Sequence, residues 1–325
     1  MFPRRGEISK CALIDEDQAG FLCGTGCLKV QLPKRVLHPR FVYYYLGLRW
    51  VVEWLERNAI GTTMLNLNTG ILGGVQVPVL ALERQQRIAD VLAAYDDLIE
   101  NNRRRIALLE QSARLLYREW FVHLRFPGHE HVKVVDGVPE GWESRPLGKL
   151  YENLDRLRVP LSVLERDKRR GQYPYYGAAG VLDHIDGFLF DGRHLLMGED
   201  GTVVTERGTP MLQLVGGRFW VNNHAHVMRA GIATVEFLYC ALSEYQVRGH
   251  ITGVAQPKIT QKSMNRIPVL LPPESLRSEF QDVVVSMIDQ RFKLQAYNEK
   301  LRQARDLLLP RLMSGQIQLN DTSYT

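Results

Sequence analysis

The sequence predicts an α+β protein: two globular pieces of mixed helix and strand, the first incomplete, joined by two long helices that form a coiled coil. Three observations predict this. First, residues 83–124 carry apolar side chains at alternating steps of four and three: Ile88, Leu92, Tyr95, Ile99, Ile106, Leu109, Ala113, Leu116 and Trp120, with Asn102 breaking the series. A seam of that period belongs to a helix that buries one narrow stripe against another helix. Second, the seam returns 192 residues later (280 − 88) as Phe280, Val284, Met287, Leu294, Leu301, Leu308 and Leu312, interrupted by Arg291, Asn298 and Arg305. At about 1.5 Å rise per residue each helix would be roughly 60 Å long. Third, the repeat reaches beyond the seams. Val91, Asp97, Gln111 and Leu115-Leu116 match Val283, Asp289, Gln303 and Leu307-Leu308, while Gly61 matches Gly253 and Gly6 matches Gly198. Val77-Pro78-Val79 and Ile267-Pro268-Val269 stand just ahead of the two helices. Shared coiled-coil composition would not align glycines, so a duplicated unit is the better reading.

The elements follow in order. Residues 1–80 form the incomplete first globular piece, β-rich, with strand-like runs at Cys11-Ala12-Leu13-Ile14, Gly20-Phe21-Leu22 and Leu28-Lys29-Val30-Gln31-Leu32. Pro39 opens a helix over residues 41–57, since proline suits a first turn. The first long helix fills residues 81–126 and is stopped by Pro127-Gly128. Residues 127–141 are a polar linker. The second globular piece, residues 142–271, places strands and glycine turns before a helix at residues 235–245, then Gly253 and the Ile267-Pro268-Val269 strand. Pro272-Pro273 start the second long helix, residues 272–315, which Pro310 should kink near its end. Residues 316–325 read as a loose tail. Moving Trp142 back by 192 places it before Met1, so the first unit is expected to lack its opening half.

Composition narrows the function. At 325 residues, 45% hydrophobic and 24% charged, the chain is long enough for two cored domains. No segment approaches the roughly 18 apolar residues of a membrane span, and no signal pattern opens the chain, so a cytoplasmic location with no membrane partner is expected. Cys11, Cys23, Cys27 and Cys240 lack paired zinc spacings and suit a reduced compartment. A net charge of +5 permits nucleic-acid binding without requiring it. Catalytic signatures are missing: there is no Asn-Pro-Pro-aromatic tetrapeptide, Gly148-Lys149-Leu150 fails the phosphate-loop pattern, and Cys23-Gly24-Thr25-Gly26-Cys27 is too short for a dinucleotide fingerprint. No catalytic, cofactor or metal residue is therefore assigned.

Several segments together resemble the specificity subunit of Type I restriction–modification systems. Pro139-Glu140-Gly141-Trp142-Glu143 with Leu147-Gly148 opens the second piece, and Pro174-Tyr175-Tyr176-Gly177-Ala178, Gly198-Glu199-Asp200-Gly201 and Trp220-Val221-Asn222-Asn223-His224-Ala225-His226 follow. The stretch from Gly253 to Ile259 precedes Ile267-Pro268-Val269, and Arg4-Arg5-Gly6 and Cys23-Gly24-Thr25-Gly26-Cys27 hold the corresponding places in the first unit. The resemblance covers nearly the whole chain. It implies a non-catalytic subunit with two target-recognition domains separated by two long antiparallel helices, which reads a bipartite site on double-stranded DNA. Two modification subunits would bind S-adenosylmethionine and methylate adenine, and restriction subunits would add ATP- and Mg-dependent translocation and cleavage. The alternatives are a truncated or half-functional subunit needing another chain, a DNA-binding regulator without an enzyme partner, and a coiled-coil scaffold.

The candidate DNA contacts are Arg4, Arg5, Thr62, Thr63, Asn66, Tyr175, Tyr176, Glu199, Asn222, Asn223, His224, Gln256, Lys258 and Lys262. Paired asparagines can bond an adenine edge bidentately, and a glutamate can accept from a cytosine amino group. Each has a structural alternative, as turn residues or a loop that shapes the domain. Strand alternation would put His224 and His226 on one face, a metal-like pair, but no carboxylate or cysteine spacing completes a site. Tyr175 and Tyr176 would stack on base or sugar, or else fill the core. Lys258 and Lys262 suit phosphates, which supply affinity rather than sequence choice. Asn68 shares the place of Thr62, Thr63 and Asn66. Arg103-Arg104-Arg105 and Lys168-Arg169-Arg170 read first as solvated faces. Arg291, Asn298, Arg305, Ile288 and Tyr297 suggest that the helices also meet partner helices.

Overall fold

A computed structural model describes residues 1–14, 18, 20, 22–61, 64–253 and 256–319. The chain forms two compact units, residues 1–104 with 295–325 and residues 105–294, and each holds a length of both long helices. These are α4 (Leu82–Tyr117) and α8 (Glu274–Met313). In the first unit Asn102 faces Asn298 and Asp96 faces Arg305. In the second, Glu110 faces Arg291 and Phe121 faces Phe280. Within each unit a step up one helix matches a like step down the other, so the helices run antiparallel.

The first unit also contains β1 (Phe2–Pro3), β2 (Cys27–Leu28), α1 (Pro39–Leu46), α2 (Arg49–Asn58) and α3 (Thr69–Gly73). Phe2, Ile8, Leu28, Phe41, Leu55 and Leu67 bury against Ile88 and Leu92 of α4 and Leu312 and Met313 of α8. The β-rich expectation is corrected here: among the described residues only β1 and β2 pair as strands, antiparallel. The expected strand at residues 20–22 includes Phe21, which lies outside the described residues. The helix expected over residues 41–57 is two helices, because Gly47 and an extended Leu48 break it. Val77-Pro78-Val79 is not a strand, although its counterpart is β13 (Pro268–Leu271). A strand needs a ladder partner: β13 pairs with β5 (Glu143–Pro146), and residues 77–79 pair with no strand among the described residues. Ile317 and Leu319 pack on this core, so that part of the expected tail is held, and residues 320–325 lie outside the described ones.

In the second unit, α4 gives way to a π-helical turn at Arg118–Val122, and Leu124 has positive φ. Tyr117 and Phe121 both enter the core. The expected linker is partly ordered: β3 (Val134–Val135) and β4 (Val138–Pro139) form a hairpin. Its Asp136-Gly137 turn has φ of 50° and 79°, which matches the right-handed twist of paired strands.

A four-stranded antiparallel sheet follows, in the order β10 (Leu212–Val215), β9 (His194–Gly198), β12 (Ala225–Ala230), β6 (Tyr151–Asn153). All five β9 residues are buried, and period two splits them: Leu195 and Met197 face the main core, Leu196 the smaller cluster with Val227 and Phe219. After α5 (Val163–Lys168), β7 (Arg170–Tyr176) pairs with β8 (Val181–Ile185) and, in parallel, with β11 (Trp220–Val221). α6 (Val235–Ser243) is buried along nearly all its length, as an all-round apolar helix must be. α7 (Gln261–Met264) leads into β13.

The core closes on Phe280, which is fully buried. Its ring centroid lies 4.9 Å from Phe121, 5.9 Å from Tyr117 and Trp120, and 6.1 Å from Phe237. Ile288, expected to face a partner, is buried in the same core, whereas Tyr297 is exposed. Phe280→Ala should destabilise the second unit by about 3–5 kcal/mol, read from the urea midpoint, because no neighbouring ring can collapse into the space.

Candidate nucleic-acid interface

Three segments far apart in sequence meet at one end of β9 and β12 in the second unit. The Glu199 N–H donates to His224 O at 2.8 Å, the Ile259 N–H to Glu199 O at 2.8 Å, and the Gly201 N–H to Pro257 O at 3.1 Å. Thr252 and Lys258 exchange both backbone hydrogen bonds at 2.8 Å and so close a tight loop. Gly253 has φ +82° in that loop, and a Cβ there would lie 2.4 Å from Gln256 O. Only glycine fits. Thr260 then caps α7 by accepting from the Ser263 N–H.

The first unit is tied in the same way. The Arg4 N–H donates to Gly26 O at 2.8 Å, the Leu67 N–H to Arg4 O at 2.8 Å, and the Gly6 N–H to Leu65 O at 3.2 Å. Ile60 and Asn66 exchange both bonds, Gly61 has φ +114°, and its Cβ would lie 2.4 Å from Met64 O. Asn68 caps α3 from the Ile71 N–H. The loop and cap repeat at the 192-residue shift, but Gly6 corresponds to Gly201 rather than Gly198. The stretch before the loop glycine is three residues longer in the first unit (61 − 6 = 55 against 253 − 201 = 52). Gly24-Thr25-Gly26 accordingly takes the place of Asn222-Asn223-His224.

The side chains behind the second platform form a buried charge network. Arg158 Nη1 lies 2.7 Å from Glu199 Oε2 and donates to Ala225 O at 2.7 Å, and Arg158 Nε donates to Asp155 O at 2.9 Å. Lys258 Nζ is 3.2 Å from Glu199 Oε1. His226 is 1% exposed, with Nδ1 2.6 Å from Asp155 Oδ2 and Nε2 donating to Ile259 O at 2.8 Å. Burial alone would raise the Asp155 carboxyl, but the His226 hydrogen bond and charge, the Val227 N–H and Arg158 hold it below its ordinary value. Asp155, Glu199 and His226 are metal-ligand types within 4.8 Å of one another. A metal would have to displace the two cations already paired with those carboxylates. The arrangement is a brace for the Asn222–His226 turn.

Residues 1–111 and 139–304 match the Type I restriction modification DNA specificity domain. The chain belongs to this family. It is 24% identical over 309 residues to the Type I restriction enzyme MjaIX specificity subunit of Methanocaldococcus jannaschii, covering 89% of this chain and 72% of that one. It is 20% identical over 402 residues to the HindI specificity subunit of Haemophilus influenzae, covering 94% and 83%. The crystal structure of a Type I restriction–modification S subunit from Mycoplasma genitalium has the same fold, with a TM-score of 0.55, 19% identity and coverage of 96% and 81%. The specificity subunit is a DNA-recognition chain and is not itself catalytic. No helix among its described residues is long and apolar enough to cross a membrane.

The two platforms gather most of the candidates that the sequence offers. Asn223, His224, Gln256 and Lys262 are exposed on the second platform, with Lys258 partly so. Arg4 and Arg5 are exposed on the first, with Asn66 beside them, and among the described residues neither arginine has a carboxylate partner. Thr62 and Thr63 lie outside the described residues. Three expectations are corrected. Tyr175 is 1% exposed and its hydroxyl accepts from the Leu161 N–H, so that ring serves packing, while the half-buried Tyr176 ring packs on Phe219. Asn222 is 5% exposed and its side chain accepts from the His224 N–H; it shapes the turn. His224 and His226 do not share a face, because His224 sits in the turn before β12 and pairs with Asp200 while His226 points inward. Glu199 is engaged by Arg158 and Lys258. Asp155 and Arg158 were missed, since an isolated Asp-x-x-Arg carries no distinctive signal.

Asp155 should stabilise the second unit above about pH 4, where it is ionised in both folded and unfolded chains, and lose that contribution as pH falls through its lowered folded value. Asp155→Asn should therefore cost about 1–3 kcal/mol at pH 7 and flatten the acid side of a stability profile from pH 7 to 3.

Proposed function

We propose that each unit reads one half of a split DNA target through its three-segment platform, and that the long helices set the distance between the halves. The observation that carries this is the repeated backbone pattern: the same hydrogen bonds, the same positive-φ glycine and the same helix cap in both units, under different exposed side chains. Residues 142–271 then correspond to one recognition domain and residues 1–80 to the other, with residues 81–126 and 272–315 as spacer helices. In this reading Asn223, His224 and Gln256, exposed on the second platform, meet base edges, and Lys258, Lys262, Arg4 and Arg5 meet phosphates or guanine. Tyr175, Tyr176, Glu199 and Asn222 act behind them.

Partner subunits supply the chemistry. In this reading two modification subunits bind S-adenosylmethionine and methylate adenine in each half-site, and restriction subunits use ATP and Mg to translocate and cut. The chain works in the cytoplasm, where that DNA is. Sequencing of methylated adenine in host DNA with and without the gene should reveal a two-part motif that disappears with it. A single uninterrupted motif would overturn the split reading.

Two substitutions separate the roles. Asn223→Ala with His224→Ala should weaken binding to the cognate site by about 30-fold or more while sparing non-specific DNA, since each good base contact is worth about 1–3 kcal/mol. Lys262→Ala should weaken binding to all sequences alike and lower the salt slope by about one, measured by titration at several salt concentrations.

A further inference from the structure

The seam between α4 and α8 is broken in the first unit by two amides that face each other. Asn102 and Asn298 are 5% and 2% exposed. Asn102 Nδ2 donates to Asn298 Oδ1 at 2.8 Å, and Asn298 Nδ2 donates to Ile99 O at 3.2 Å. Ile99 and Leu301 bury beside them. Asp96 lies farther along α4, held by Arg305 of α8 and by the Tyr44 hydroxyl of α1 at 2.7 Å.

A heptad seam of leucine and isoleucine is nearly indifferent to sliding by one repeat, because each apolar knob meets another apolar hole. The amides are not indifferent. After a slip of seven residues Asn298 would face Tyr95 or Leu109, and its polar group would be buried without a partner. Asp96 would lose Arg305 and face Asn298 or Leu312. The two interruptions therefore remove the competing alignments while adding little attraction of their own.

We propose that the Asn102–Asn298 pair, backed by Asp96–Arg305, is the register pin of the long helices and so a determinant of the unread spacer length. The proposal rests on reading those helices as the ruler between half-sites. It adds to that reading the residues that set the ruler.

The test uses the full chain with nitroxide labels at Ala94→Cys and Gln303→Cys, both exposed positions of the first unit, and Cys11, Cys23 and Cys27 replaced by serine. The pinned chain should give one interspin distance. Asn102→Leu with Asn298→Leu keeps the seam apolar and should add a second population, displaced by about 10 Å along the helix axis. One unchanged distance in that variant would overturn the pin. Asn298→Leu alone should melt several degrees below both the parent and the double variant, because Asn102 is left unpaired; a midpoint equal to the parent's would also overturn it. Methylation of targets with the spacer lengthened or shortened by single base pairs then separates the two readings. A split register with unchanged spacer choice leaves the pin standing and removes the ruler.

Discussion

A surface that discriminates among bases has to be stiff before it is selective. Here the stiffness comes from main-chain hydrogen bonds between segments distant in sequence. In each unit an edge segment, a turn and a glycine loop are tied through backbone N–H and C=O groups. Because the tying atoms belong to every residue type, the side chains above them can change without loosening the frame. The two units use that freedom: Arg4-Arg5 in one stands where Glu199-Asp200 stands in the other, and Gly24-Thr25-Gly26 where Asn222-Asn223-His224 stands. An arginine pair with no carboxylate partner among the described residues, and an acidic pair engaged by Arg158, Lys258 and His224, give the two platforms different chemistry on the same scaffold.

The second platform adds a network of Asp155, Arg158, Glu199, His226 and Lys258. Such a network is costly to bury, and apolar residues of similar volume would often be as stable. What it supplies is direction: Arg158 reaches two carboxylates and a turn carbonyl at once, so the turn has one place to be. The helix seam follows the same logic with amides in place of charges.

The large features were legible because they rest on period and repetition. The long helices and the duplication follow from the spacing of apolar residues and the match of Gly61 to Gly253, whereas the antiparallel pairing comes from the resemblance and not from the spacing. Strands in the first piece were overcalled because short apolar runs such as Leu28 to Leu32 look alike whether or not a partner strand is at hand, and pairing is a property of the whole fold. The candidate site divided along the same line. Gly253, Lys258 and the Asn222–His226 turn announce themselves as loop chemistry, whereas the burial of Tyr175 and the packing of Tyr176 depend on Leu161 and Phe219, which no local pattern links to them. Arg158 was invisible for that reason: its three partners come from three separate stretches of chain.

The pairing of β5 with β13 has a consequence for how such a chain changes over time. Those strands are the doorway of the second globular piece: one follows the linker, the other leads into α8, and they run side by side as an antiparallel ladder. Entry and exit are thus a fixed few ångströms apart whatever is folded between them. Any other sequence that brought its two ends to the same clasp would enter and leave at the same two points.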